Sequence, residues 1–186
     1  MLTFGIIVEG VFDAAALPEL IRKCCTDDIH IEARVCRSAS QLMRSGLSFL
    51  EEFRYVVQGS SVDKALIIRD ADSKDPTELV HRLNVTINTR SYPFPVRPVI
   101  IVQKLETWLL ADSEALSQVT GKIVPEITGT LEAIMEPKER LKNLLSNANR
   151  AYTTEVAREI AAASRLEILE YRCPSFRVFR QALRDS

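Results

Sequence analysis

The chain has 186 residues, of which 46% are hydrophobic and 26% are charged, and its formal net charge is −1. This composition is typical of one globular domain with a well-buried core. No apolar stretch reaches the ~20 residues needed to cross a bilayer, and the N-terminus opens into a strand-like run without a basic segment or cleavage signal. We therefore expect a cytoplasmic protein without a membrane anchor. Four cysteines without CxxC spacing and only two histidines argue against a zinc site.

The first half of the chain alternates between strand and helix patterns. Helices are predicted to start at Asp13, at Ser38 or Ser40, and after Asp75. The βαβαβαβ order predicts an α/β fold with a mainly parallel four-stranded sheet flanked by helices. The predicted strands cover residues 2–8, 29–35, 65–69 and 99–102.

Beyond Trp108 the pattern is helical. Ser113 is expected to cap a short helix, and Pro174 to open the last one. About 70 residues would be marginally stable alone. We therefore expect residues 113–186 to form a helical extension packed on an α/β core of residues 1–112, within a single structural domain.

Carboxylates follow two of the predicted strands. Asp70 and Asp72 end the third strand and are expected to point the same way, because side chains alternate along an extended segment. Glu9 ends the first strand, so all three side chains would meet at the carboxyl edge of a parallel sheet, where ligands bind. Such oxygen donors favour Mg²⁺, or Mn²⁺ in its place. The alternative is ordinary turn and helix-capping chemistry for each residue.

A further carboxylate follows the fourth strand. Glu106 would reach the same edge if this strand lies beside the third, and the alternative is an exposed residue in the first turn of a helix. Asp112 has a capping role available. Trp108 has apolar neighbours, which favours a place in the core over a base-stacking role.

Basic residues concentrate at the C-terminal end. Residues 1–136 carry 14 Lys/Arg and 19 Asp/Glu, whereas residues 137–186 carry 10 and 6. In the last helix, Arg177, Arg180 and Arg184 share one face, which could contact a nucleic-acid backbone. A solvated amphipathic face is the alternative. A similar basic group near Pro137 consists of Lys138, Arg140 and Lys142.

Other chemistries lack their motifs. The sequence has no Gly-x-x-x-x-Gly-Lys or GxGxxG loop to cradle a phosphate. It also has no Gly-x-Ser-x-Gly elbow for a serine nucleophile.

Two motifs resemble a known domain in their order and context. Val8-Glu9-Gly10 and Asp70-Ala71-Asp72 are similar to the motifs of the Toprim domain, the α/β fold shared by topoisomerases, bacterial primases and the nucleases of the overcoming-lysogenization-defect group. This similarity covers about residues 1–112. The segments 105–112 (LETWLLAD) and 172–176 (RCPSF) resemble a poorly characterised bacterial Toprim-like family found near mobile-element and phage-defence genes.

The resemblance implies roles for four acidic residues. Asp70 and Asp72 would bind Mg²⁺, and Glu9 would bind metal or act as general acid/base in phosphodiester chemistry. Glu106 would be an additional member of the catalytic site. The chain has no tyrosine nucleophile domain, primase zinc module or ATPase domain, so topoisomerase or primase activity is not expected of it alone, and any ATPase would be a separate partner protein.

Three functions follow as hypotheses. The first is a Mg²⁺-dependent nuclease or related phosphotransfer enzyme that acts on nucleic acid. The second is a non-catalytic Toprim-like module that binds nucleic acid or a partner protein in a defence or mobile-element system. The third is a phosphatase of the haloacid-dehalogenase type, because Asp70-Ala71-Asp72-Ser73 also resembles that nucleophile loop; Glu9 would then have no role. The sequence does not predict an oligomeric state.

Overall fold

A computed structural model describes residues 2–25, 28–56 and 61–184. Strands and helices alternate through the first half, and helices fill the second. The strands are β1 (Leu2–Val8), β2 (Ile29–Val35), β3 (Lys64–Asp70) and β4 (Val96–Ile101). The helices are α1 (Val11–Cys24), α2 (Ala39–Glu52), α3 (Pro76–Ile87), α4 (Leu105–Leu109), α5 (Ser113–Thr120), α6 (Pro137–Asn147), α7 (Thr154–Ala163), α8 (Leu166–Arg172) and α9 (Pro174–Arg184), with a short 3₁₀ turn at Leu131–Ala133.

The four strands form one parallel sheet in the order β2-β1-β3-β4. Ile7 pairs with Ile67, and Asp70 pairs with Ile101, so the carboxyl ends of β1, β3 and β4 lie side by side. The predicted α/β fold, with a parallel four-stranded sheet flanked by helices, is confirmed. Loops that follow these strands therefore meet at one edge of the sheet.

Two helix starts differ from the prediction. Helix α1 begins at Val11, with Gly10 as its N-cap, and Asp13 accepts the Gly10 N–H at 2.8 Å from inside the first turn. Helix α5 is capped by Asp112, and Ser113 is its first residue. In both cases a carboxylate satisfies backbone N–H groups that a helix start leaves free. Asp75 caps α3 as predicted.

The sheet is covered on both faces. Gly5 lies so close to Phe53 that a Cβ atom there would be 2.6 Å from its ring. On the other face, α7 packs against α1. The rings of Trp108 and Phe176 meet edge to face there, with their centroids 5.1 Å apart. One apolar cluster thus includes residues on both sides of position 112, and the C-terminal helices pack directly on the α/β core. Within the described ranges, no helix combines the length and apolarity needed to cross a membrane.

Candidate active site

A cavity of about 140 Å³ opens at the carboxyl edge of the sheet. Four carboxylates line it: Glu9, Asp13, Asp70 and Glu106. Three of them, Glu9, Asp70 and Glu106, were predicted to share a site and are brought together by the parallel strands. Three basic side chains also line this cavity: Arg37, Lys104 and Lys138.

Glu9 follows β1 and is left without a hydrogen bond on one oxygen. Its Oε1 lies 3.3 Å from the Nε atom of Arg69, but the Arg69 N–H does not point at it, so both buried atoms lack a hydrogen-bond partner. Burial raises the pKa of Glu9, the guanidinium of Arg69 lowers it, and the carboxylate of Asp72 raises it again. Oε1 of Glu9 thus has an ion-pair partner in Arg69 but keeps its hydrogen-bonding capacity for another group.

Asp13 is a site residue that the sequence analysis did not identify. Its carboxylate accepts the Gly10 N–H at 2.8 Å. Burial raises the pKa of Asp13 to about 7, and the neighbouring carboxylates of Glu106 and Glu9 add to this. The available signal was its position four residues after Glu9, in the first turn of the helix that leaves the site.

Asp70 lies among these carboxylates at the end of β3. Burial raises the pKa of Asp70 well above its usual range, and Asp13, Glu106 and Glu9 raise it further. These buried side chains repel one another when ionised, so protonation or a nearby cation would relieve the repulsion.

Asp72 lies at the rim of the site. Its backbone is left-handed, with φ of 48°, and its Oδ1 is 2.5 Å from Nζ of Lys104. The expectation that Asp70 and Asp72 lie on one extended segment is wrong, because β3 ends at Asp70 and the chain turns there. The carboxylate of Asp72 is still close enough to raise the pKa of Glu9.

Glu106 is buried in the first turn of α4, with only 3% of the residue exposed. The alternative of a solvated side chain is therefore wrong. Its Oε1 accepts the Tyr152 hydroxyl at 3.0 Å and lies 3.6 Å from Nζ of Lys138. Tyr152 and Lys138 both belong to the helical extension, so the extension supplies part of the site.

The backbone around the cavity is strained. Five non-glycine residues in the described part of the chain have left-handed φ values, and four of them lie in loops that follow β2, β3 or β4: Arg37, Asp72, Ser73 and Gln103. The Ser73 hydroxyl donates to Oε1 of Gln103 at 3.1 Å and ties two of these loops together. Such conformations persist where surrounding contacts enforce them, and they cluster at functional sites.

The arginine stripe of α9 lies away from this cavity. Arg180 is ion-paired with Glu170. Burial raises the pKa of the Cys24 thiol at the far end of α1, and the charges of Arg180 and Arg184 partly lower it. Lys64, the first residue of β3, donates to carbonyls at the C-terminal end of α9. The Arg184 end of α9 thus lies at the amino edge of the sheet, opposite the carboxylates. A role for Arg177, Arg180 and Arg184 in binding nucleic acid stays a prediction.

Comparison with known proteins gives one match. A family model described as a domain of unknown function, DUF4276, matches residues 8–184. The chain belongs to the DUF4276 family. No curated protein and no solved structure matches it. The DUF4276 match contains every carboxylate of the cavity together with Lys138 and Tyr152, so the core and the extension form one family unit.

The donor atoms of this DUF4276 site suit a hard cation such as Mg²⁺, which prefers carboxylate oxygens. The buried Oε1 of Glu9, which lacks a hydrogen bond, supports this fit. Among the residues that the structure describes, however, no group of three or more Asp, Glu, His or Cys side chains is already arranged to hold an ion. Glu9, Asp13 and Asp70 are the side chains of this cavity that would hold one.

Proposed function

We propose that this DUF4276 protein is a Mg²⁺- or Mn²⁺-dependent phosphodiester enzyme, a nuclease with a Toprim-like catalytic core. The observation that carries the proposal is the convergence of Glu9, Asp13, Asp70 and Glu106 on one cavity at the carboxyl edge of a parallel sheet. Buried like charges at such an edge are stabilised by a bound cation. The motifs shared with Toprim domains supply the class of reaction.

Each group of side chains has a task in this reaction. A bound divalent ion would supply Lewis-acid stabilisation of the phosphate charge and lower the pKa of water. Glu9, Asp13 and Asp70 would hold the ion, and Arg37 and Lys104 would contact the phosphate from the rim. Hydrolysis forms a bond from water oxygen to phosphorus and breaks the bond to the leaving oxygen. The proton of the attacking water would pass to the Glu9 oxygen that does not hold the ion, and the leaving oxygen would take a proton from solvent.

The test is cleavage of supercoiled plasmid and of a labelled single-stranded oligonucleotide with Mg²⁺, Mn²⁺ or EDTA. The wild-type protein is expected to cleave only with a divalent ion. Asp70→Asn and Glu9→Gln should each reduce the rate at least about 100-fold, because general acid–base and electrostatic groups contribute that much. Glu139→Gln, which removes an exposed carboxylate paired with Lys142, is the matched control. Equal rates in the wild-type protein and both site variants would refute the proposal.

A non-catalytic module is the second candidate, and one observation favours it. Lys104 already pairs with Asp72, and Lys138 with Glu106, so internal cations neutralise two of the carboxylates. In this case the protein binds nucleic acid or a partner in a defence or mobile-element system, and any ATPase is a separate protein. Binding of DNA or RNA without turnover under any metal would support this candidate over the first.

For both candidates we propose a cytoplasmic location. All four cysteines are free thiols, which is the state that a reducing compartment maintains.

A further inference from the structure

The sheet has two edge strands, β2 and β4, and they differ in how they are protected. In β4, the carbonyls of Pro95 and Ile101 accept hydrogen bonds from the β3 side. Because backbone groups alternate along a strand, Pro98 lies on the free edge of β4. Proline has no N–H to donate, and on an edge strand it prevents pairing with another chain. The free edge of β4 is therefore blocked.

Strand β2 contains no proline. At its two ends, the Asp28 carbonyl accepts a hydrogen bond from β1, and the Cys36 N–H donates to Val8. The even-numbered residues of β2 therefore bond to β1. Backbone N–H and C=O groups of the odd-numbered residues point away from the sheet, and the side chains of these residues are only partly buried: Ile29, Ile31, Ala33 and Val35. Such an edge is a template for a further strand.

The charges of β2 are complementary to those of a second β2 strand. Glu32 and Arg34 are partly exposed on one face of β2. In an antiparallel pair of two β2 strands centred on Ala33, Glu32 of each copy lies directly opposite Arg34 of the other. These are non-hydrogen-bonded positions, where side chains are closest and opposite charges stabilise a sheet. Ala33 then hydrogen-bonds to its own copy, and Ile31 to Val35. A pair centred on Glu32 or on Arg34 would place like charges opposite each other.

We propose that β2 pairs with β2 of a second copy of this chain across a two-fold axis at Ala33. The product is a symmetric dimer with one continuous eight-stranded sheet. A two-fold interface must be self-complementary, and the Glu32–Arg34 arrangement meets this requirement twice. The Ala33 carbonyl, which accepts Nη1 of Arg34 at 3.1 Å within the chain, accepts the Ala33 N–H of the second copy instead. Arg34 is then free to contact Glu32 across the axis. Because the paired strands are antiparallel, the two cavities lie at opposite ends of the sheet.

Reversal of each charge tests the pairing. Glu32→Arg places two positive charges opposite each other on both sides of the axis, and Arg34→Glu does the same with negative charges. Mixed in equal amounts, the two variants regain opposite charges, because one chain is basic at both positions and the other is acidic. Glu139→Arg, which reverses an exposed carboxylate paired within α6, is the matched control. Sedimentation velocity over a range of concentrations measures the dimer dissociation constant, and thermal melting checks that each variant is folded.

We expect the wild-type protein and Glu139→Arg to form dimers. Each single variant of β2 should weaken the dimer at least about 10-fold, since like charges directly opposite destabilise a strand pair, and their mixture should form a heterodimer. Ala33→Pro removes an N–H that points away from β1 and should also weaken the dimer. A wild-type monomer at every concentration, a dimer that neither charge reversal weakens, or a mixture that stays monomeric would overturn the proposal. None of these outcomes depends on metal binding or cleavage, so the proposed function is tested separately.

Discussion

At the scale of single residues, Asp70 is held where its ionised form is unfavourable. Burial raises its pKa, and the carboxylates of Asp13, Glu106 and Glu9 raise it further. Such an arrangement lowers the stability of the protein when no cation neutralises the charge, and it is typical of functional sites, where activity and stability compete.

Asp70→Asn should therefore stabilise the metal-free protein. The neutral amide removes the like-charge repulsion, and we expect a gain of about 1 kcal/mol, or roughly 2–4 °C in melting temperature for a chain of this size. Under the proposed metal binding, Mn²⁺ should stabilise the wild-type protein and should not stabilise this variant. Calorimetry in EDTA and in Mn²⁺ measures both, with Glu139→Gln as the control. A lower melting temperature in EDTA would contradict this account of Asp70.

At the scale of elements, Asp112 joins the core to the extension. Its carboxylate caps α5 by accepting the N–H groups of Glu114 and Ala115 at 3.1 and 3.4 Å. It also accepts a hydrogen bond from the Nε–H of Arg165, in the segment before α8, with a donor–acceptor distance of 2.9 Å. Burial alone would raise the pKa of Asp112, but the hydrogen bonds from Arg165 hold it down at about 2. The charged form is therefore the one that stabilises the fold.

Asp112→Asn should destabilise the protein by about 2 kcal/mol at pH 7, because the folded state binds the ionised carboxylate more tightly than water does. The folded-state pKa lies below the unfolded value of about 3.9, so this contribution is complete above pH ~4 and is lost as the pH falls toward 2. Urea unfolding at pH 7, 4 and 3 measures the difference between wild-type and variant proteins. Asp75→Asn, at an exposed cap that Asn fills equally well, should change little. A difference that stays constant with pH would refute the ionic role.

Gly5 gives a second test at this scale. Gly5→Ala should destabilise the protein by about 1–3 kcal/mol, because its Cβ would overlap the buried ring of Phe53 at 2.6 Å. Gly46→Ala is the matched control, since no atom lies within 4 Å of the added Cβ and the residue is inside α2. That change should stabilise by about 0.5–1 kcal/mol through helix propensity. Chemical denaturation of both variants measures the two signs, and similar losses in both would contradict the packing at Gly5.

At the scale of the whole molecule, the site combines both halves of the chain. Glu9 follows β1, Asp70 ends β3 and Glu106 lies in the first turn of α4, all at the carboxyl edge of the sheet. Lys138 and Tyr152 come from the extension. The extension is therefore part of the site as well as a cover for the core.

The sequence predicts that Glu9, Asp70 and Glu106 belong to the site, and it does not predict Lys138 and Tyr152 there. Both outcomes have physical reasons. Parallel strands force their carboxyl ends to one edge, so the place of Glu9 and Asp70 follows from strand order. Asp72 does not point the same way as Asp70, because the left-handed turn after β3 ends the alternation of side chains along the strand. The sequence pattern predicts only a helix cap at Asp13, because its burial in the cavity depends on the surrounding elements. Lys138 and Tyr152 reach the site through the packing of α6 and α7, which local periodicity does not encode.

The central claim is that Glu9, Asp13 and Asp70 together bind one divalent ion. Anomalous scattering from a crystal of the wild-type protein soaked in Mn²⁺ tests it most directly. We expect one peak within about 2–2.5 Å of carboxylate oxygens of these three residues, absent from crystals of Asp70→Asn. Mn²⁺ bound only at the exposed rim around Asp72, or no peak in the cavity at full soaking, would contradict the claim.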